Sequence, residues 1–288
     1  MDRPACAKLR VLVAGQQNSF VHVLATNIRR WGHEVTVLPS MMALCGDSVR
    51  GVGDGASKIE GDVLLYDLDE SHISMLMSGR DAPAARLTIA LSSDSMSSTT
   101  LEKFGAVAML QKPFEMGRLQ HYLRVLQRLL LEQEEARQPA GDSLFAGQGS
   151  SDGQEGPFLE ESHPKIRVLV VDDDVTITNM IRNYLMLESR YEVVVAHDGL
   201  EALEQCLDWK PHCIVTDLIM PWMNGYQVMR CLSASSLQVM PSFVIMGALA
   251  QHEIPVGRSY LQGKVVAYID KPFAIDLLLT AIEQVCIE

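Results

Sequence analysis

The chain has 288 residues and a formal charge of −12, with 48% hydrophobic, 21% charged and only 6% aromatic residues. That length suits two domains of ordinary size, and that mix suits globular protein whose core rests on Val, Leu, Ile, Ala and fifteen Met. The negative balance argues against nucleic-acid binding, which needs a basic footprint to displace counterions, and against attraction to anionic membranes. Six cysteines, Cys6, Cys45, Cys206, Cys213, Cys231 and Cys286, form no C-x-x-C pair and fit reduced thiols rather than a disulfide framework or a zinc site. The opening MDRPACAKLRVLVAG has no apolar run long enough for a signal peptide, and nothing downstream is long enough to span a bilayer, so a cytoplasmic location is expected.

In chain order, Leu9–Gly15 (LRVLVAG) reads as a near-continuous apolar strand of the kind buried on both faces of a parallel sheet. A second run, VLLYD, ends at Asp67, and a third, LTIALSS, starts at Leu87. The first half closes on Lys112-Pro113-Phe114 and a long helix. On that helix Met116, Leu119, Leu123, Leu126 and Leu130 keep a three-four spacing. Such a stripe either packs on the sheet or forms a coiled-coil seam, and the pattern runs on through LLLEQEEA, beyond the needs of one domain. Packing on its own sheet is the expected role of the stripe, with domain docking or a homodimer through the first domain as the alternative. His121 on this helix lacks the context of a phosphotransfer histidine and reads as an ordinary helix position.

Residues 134–164 are rich in Gly, Ser, Gln and acids, with seven acids against one arginine. A stretch that can bury so little cannot offset its ordering entropy and reads as a linker. After it the first plan repeats: IRVLVV from Ile166, CIVTD to Asp217, SFVIMGA near Phe243, and a last strand into Lys271-Pro272-Phe273. Helix-period stretches such as Val175–Leu187 and Leu200–Trp209 lie between the strands. The predicted fold is α/β: two doubly wound, flavodoxin-like, five-stranded parallel-sheet domains over 1–133 and 165–288, joined by the linker.

In such sheets ligands sit at the carboxyl ends of the strands, where VLVVDDD, IVTD and YIDKPF would bring Asp172, Asp173, Asp217 and Lys271 together. Carboxylates and a backbone carbonyl suit Mg²⁺, which prefers oxygen ligands and keeps several waters. Metal and lysine together would neutralise charge on a phosphoryl group attacked by Asp217.

VVDDD, VTDLIMPWMNG and YIDKPF resemble the receiver domain of bacterial two-component response regulators, over about the last 124 residues. The resemblance implies that Asp172 and Asp173 hold Mg²⁺, with Ile219 ligating through its backbone carbonyl. It implies that Asp217 is the phosphoacceptor, served by a histidine kinase or phosphotransfer protein, and that Lys271 contacts the phosphoryl oxygen. Tyr268 would be the aromatic switch residue, and a cis peptide is usual before Pro272. Gly247 departs from the family, which places Thr or Ser there, so switching through Tyr268 is expected to be altered. Pro255 and Gly257 should shorten or break the fourth helix of this domain. Ile219 and Leu249 occupy positions that tune hydrolysis in the family, and both are apolar, so a long-lived aspartyl phosphate is expected.

The first half resembles the same family less closely. Gly15 and Gln16 stand at the acid pair, Asp67 at the phosphoacceptor, Ser92 at the hydroxyl position, Met109 at the aromatic and Lys112 at the lysine. This is the pattern of a pseudo-receiver kept for contacts, with Asp67 paired to Lys112 and Asp69 too little to restore a metal site. Two other readings stand beside the response regulator that signals to a downstream protein without enzymatic or DNA-binding output. One is the input module of a longer regulator, such as a diguanylate cyclase. The other is a haloacid-dehalogenase-like phosphatase, whose Asp-x-Asp motif Tyr66–Ser71 (YDLDES) resembles.

Overall fold

The computed structural model describes residues 8–15, 18–38, 60–69, 84–94, 100–101, 105–137, 165–235, 239–247 and 266–287. Gln16, Leu249, the Pro255–Gly257 segment and residues 138–164 of the expected linker lie outside the described residues. The first half carries β1 (Arg10–Ala14), α1 (Ser19–Arg30), β2 (Glu34–Leu38), β3 (Glu60–Asp67), β4 (Ala84–Ser92), β5 (Ala108–Gln111) and α2 (Met116–Arg137). The second carries β6 (Ile166–Val171), α3 (Val175–Leu185), β7 (Tyr191–Ala196), α4 (Gly199–Asp208), β8 (Cys213–Asp217), α5 (Gly225–Ser235), β9 (Ser242–Met246), β10 (Val266–Ile269) and α6 (Ile275–Ile287).

Each half holds one five-stranded sheet with every described pairing parallel, in the orders β2-β1-β3-β4-β5 and β7-β6-β8-β9-β10. Both are the 2-1-3-4-5 order of the flavodoxin-like plan, whose switch point lies beside the first strand. The apolar runs form central strands as expected: all five residues of β8 and of β9 are buried. β2 instead alternates in exposure, as an edge strand does. Helix starts follow the sequence too. Asn18, Asp174 and Asp198 each accept a backbone N–H of the turn that follows, capping α1, α3 and α4.

The registers align the halves residue by residue. Ala14 lies beside Tyr66 as Val171 lies beside Thr216, and Leu91 beside Leu110 as Met246 beside Ile269. Gly15 thus matches Asp172, Asp67 matches Asp217, Ser92 matches Gly247 and Lys112 matches Lys271. Both lysine–proline bonds, Lys112-Pro113 and Lys271-Pro272, are cis.

α2 spans 22 residues, about 33 Å, and runs four residues into the stretch read as linker. Its stripe Leu119, Leu123, Leu126 and Leu130 is buried, but so are Tyr122, Val125 and Leu129 on other sides. A helix apolar on more than one face must be covered on more than one face. α2 packs against its own sheet and also against α4 and α5, while α5 reaches β4 and β5. One core therefore runs from the first sheet, through α2, to the second sheet. Arg118–Asp198 and Arg128–Asp208 flank this contact as ion pairs, and His121–Glu204 as a hydrogen bond. His121 is thus an interface residue. The second sheet's other face packs on α3 and α6 through Ile181, Leu185, Leu278 and Ile282. Burial pushes the Cys231 thiol up to about 12 and that of Cys206 higher, as befits buried hydrophobes.

Candidate functional site

β6 delivers Asp172 at its carboxyl end, 1% exposed, and Asp173 beside it in solvent. Asp172 Oδ1 accepts the Asp174 N–H at 2.9 Å, and Asp174 in turn caps α3. β8 delivers Asp217, 8% exposed, whose Oδ1 accepts the Ile219 N–H at 3.3 Å. One carboxylate oxygen from each of Asp172, Asp173 and Asp217 lies within 4.8 Å of the others. From beyond β10, Lys271 Nζ reaches Asp172 Oδ2 at 2.7 Å and Asp217 Oδ2 at 3.0 Å. Burial works against the Lys271 ammonium, but its hydrogen bonds to Asp172 and Asp217 and their charge outweigh this and raise its pKa.

Three carboxylates and one ammonium leave two net negative charges in this pocket, matching a divalent cation. The donors are all hard oxygens, and one of them, Asp173, opens to solvent. The residues present fit Mg²⁺ on both counts. Close packing holds the surrounding loop: a Cβ on Gly225 would lie 2.5 Å from the Asp217 carbonyl oxygen and from Thr216 Oγ1. A side chain at Gly247 would likewise meet Leu218, with Cβ atoms 2.8 Å apart. The space a Thr or Ser would use there is taken by Leu218. Tyr268 is half-buried on β10, and burial raises its phenol pKa, keeping it protonated.

The matching place in the first half is filled differently. Lys112 Nζ binds Asp67 Oδ1 at 2.5 Å and Asp69 Oδ2 at 2.8 Å, and sits 4.2 Å from the Phe20 ring centroid. Ser93 Oγ donates to Asp69 Oδ2 at 2.6 Å, and the Ser93 N–H donates to Asp69 Oδ1. Partial burial opposes ionisation of Asp69, but these bonds to Lys112 and Ser93 win and lower its pKa from 3.8 to about 2. A Cβ on Gly15 would stand 2.9 Å from that of Asp67, so no carboxylate fits at that position without displacing Asp67. Ser92 is buried, and its hydroxyl oxygen accepts the Asp94 N–H at 3.1 Å. Among the described residues, the sole cluster of metal-ligating side chains is the one in the second half.

Sequence reasoning passed over Ser93, Phe20 and the Arg118–Trp222 contact, in which the guanidinium lies 4.5 Å from the ring centroid. No periodicity announces such contacts, because each joins segments far apart in the chain.

Residues 168–283 match the response regulator receiver domain family. The chain is 37% identical over 111 residues to protein-glutamate methylesterase/protein-glutamine glutaminase 5 of Myxococcus xanthus, covering 38% of this chain and 31% of that one. It is 35% identical over 114 residues to response regulator MprA of Mycobacterium ulcerans, covering 40% and 47%. The chain thus spans between about a third and a half of the length of these curated relatives. Among solved structures, the response regulator domain of Thermotoga maritima CheB covers 43% of this chain and 98% of its own, at 26% identity and a TM-score of 0.37. Strand order and site agree with this match, which makes residues 168–283 similar to response regulator receiver domains.

Proposed function

We propose that Asp217 accepts a phosphoryl group from a histidine kinase or phosphotransfer protein, within a receiver spanning 165–288. The single observation that carries the reading is the convergence of Asp172, Asp173 and Asp217 on one point with Lys271 bridging two of them. Asp217 attacks phosphorus, the P–N bond of the phosphohistidine breaks, and its electron pair stays on the imidazole, which takes up a proton. Lys271 turns its ammonium from Asp217 to a phosphoryl oxygen as charge builds there. Mg²⁺, held by Asp172, Asp173, Asp217 and the Ile219 carbonyl, would supply the remaining charge neutralisation.

In this reading residues 1–133 are a pseudo-receiver, 134–164 a linker, and output passes through protein contacts in the cytoplasm, without catalysis, DNA or membrane. Gly15 supports the pseudo-receiver assignment, since a Cβ there would stand 2.9 Å from that of Asp67 and leaves no room for the second acid of a metal site. A homodimer through the first half belongs to the same reading, with its surface away from the part of α2 that α4 and α5 cover.

Incubation with acetyl phosphate and Mg²⁺, followed by intact mass, tests the reading on wild type, Asp217→Asn and Asp67→Asn. One adduct, lost only in Asp217→Asn, is expected. No adduct on wild type refutes it, and turnover of generic phosphate esters would favour the phosphatase reading instead. The input-module reading draws on the methylesterase relative alone, in which the 111 matched residues make up 31% of the length. A mass well above 31.8 kDa for the protein purified from its native cells would favour it.

A further inference from the structure

The loop from Leu218 to Asn224 leaves Asp217 and carries the Ile219 carbonyl. Its centre is a tight turn: the Met223 N–H donates to the Pro221 carbonyl at 2.8 Å, across a Trp222 held at φ 69°. A three-residue turn closed through a positive φ is rare and strained, and a bulky aromatic is poorly suited to it. Trp222 is 37% exposed, so its own half does not bury it. Arg118, in the first turn of α2, covers it from the other half, with the guanidinium 4.5 Å from the ring centroid. The same guanidinium binds Asp198 Oδ2 at 2.8 Å. Asp198 Oδ1 accepts the Leu200 and Glu201 N–H groups, so this residue ties Arg118 to the start of α4. Next to it, a Cβ on Gly199 would lie 2.5 Å from the Met223 carbonyl oxygen. The start of α4, the strained turn and Arg118 are thus one packed unit, with no slack between its parts.

We propose that Arg118 is a positioning residue for the phosphoacceptor site, fixing the 218–224 loop from the first half through Trp222 and Asp198. The inference rests on the reading of Asp217 as phosphoacceptor. Under it, the first half completes the site of the second without any phosphoryl chemistry of its own. The cation over the ring stabilises the turn at Trp222 and with it the loop that carries the Ile219 carbonyl, and loss of Arg118 frees that loop to relax.

The test uses the full chain with Trp31→Phe and Trp209→Phe, which leaves Trp222 as the remaining tryptophan of three. Trp222 fluorescence is followed during Mg²⁺ titration, and phosphorylation by acetyl phosphate is timed by intact mass. Arg118→Ala should shift the Trp222 emission, and should weaken Mg²⁺ half-saturation and slow modification about five- to tenfold. Arg118→Lys, whose ammonium can both stack and pair, should recover most of the loss. Arg128→Ala removes the pair with Asp208 further along the same helix and should leave Mg²⁺ half-saturation where it was. A parent protein modified at Asp217 whose Arg118→Ala variant binds Mg²⁺ and reacts equally well overturns the inference alone. Equal losses in Arg118→Ala and Arg128→Ala also overturn it, because they assign the effect to docking in general. A parent protein that takes no phosphoryl group at all overturns the phosphoacceptor reading, and the inference with it.

Discussion

Replacing Lys271 by Met would leave Asp172 and Asp217 side by side without the ammonium that now contacts both, at 2.7 and 3.0 Å. Removing one partner of a buried ion pair costs about 3–5 kcal/mol. The Lys271 side chain is 24% exposed against 1% for Asp172, so solvent screening brings the expected cost to about 2–3 kcal/mol. At roughly 2–4 °C per kcal/mol for a cooperative unit of this size, Tm should fall by about 5–10 °C in EDTA at pH 7. Mg²⁺ at about a hundredfold its Kd should return about 2.7 kcal/mol. The wild type carries a pH dependence of its own at high pH. Its Lys271 pKa is raised in the folded state, so the contribution is complete below the ordinary value of 10.5 and is lost as pH rises through the folded one. Differential scanning fluorimetry over pH, with EDTA or Mg²⁺, reads all three. A Lys271→Met variant with unchanged Tm in EDTA at pH 7 would refute the claim that this ammonium neutralises the acid pair.

Three further outcomes follow from the packing and charges. Asp69, with its pKa lowered from 3.8 to about 2, stabilises the first half fully above about pH 4 and loses that contribution as pH falls toward 2. Because Asp69 is partly exposed, the contribution is about 1 kcal/mol, and acid denaturation of Asp69→Asn should lack this component. Gly225→Ala and Gly247→Thr must push back the Asp217 backbone and Leu218 respectively. Each should lose about 1–3 kcal/mol in urea denaturation, and an unchanged midpoint would mean that the loop yields freely. Leu126→Ala, at a position 0% exposed in the shared core, should lose about 2–5 kcal/mol. Far-UV circular dichroism in urea checks this, and a loss under about 1 kcal/mol would place Leu126 outside a packed core.

The strands and the acid pocket were legible because their signals are local. A strand buried on both faces must be apolar throughout, and the aspartate or lysine that ends it marks the sheet's carboxyl edge. The pairing of Gly15 with Asp172, and of Ser92 with Gly247, could be counted off those runs, and the registers agree. Lys112 binding Asp69 as well as Asp67 was not legible, since it depends on how the segment after β3 turns back toward Ser93. The stripe on α2 suggested one buried face, whereas Tyr122, Val125 and Leu129 carry a second that the three-four spacing overlooked. That extra apolar surface was the available clue to docking. Its target, α4 and α5, could come only from the tertiary arrangement.

The core that α2 carries from one sheet to the other makes each half a tethered ligand of its neighbour. Thermodynamic linkage then works in both directions. If phosphorylation of Asp217 weakens the grip of α4 and α5 on α2 by some factor, that grip disfavours the phosphorylated state by the same factor. Under the proposed function, the first half can in this way set the equilibrium of the second, and a substitution on α2 would shift that balance without touching the acid pocket.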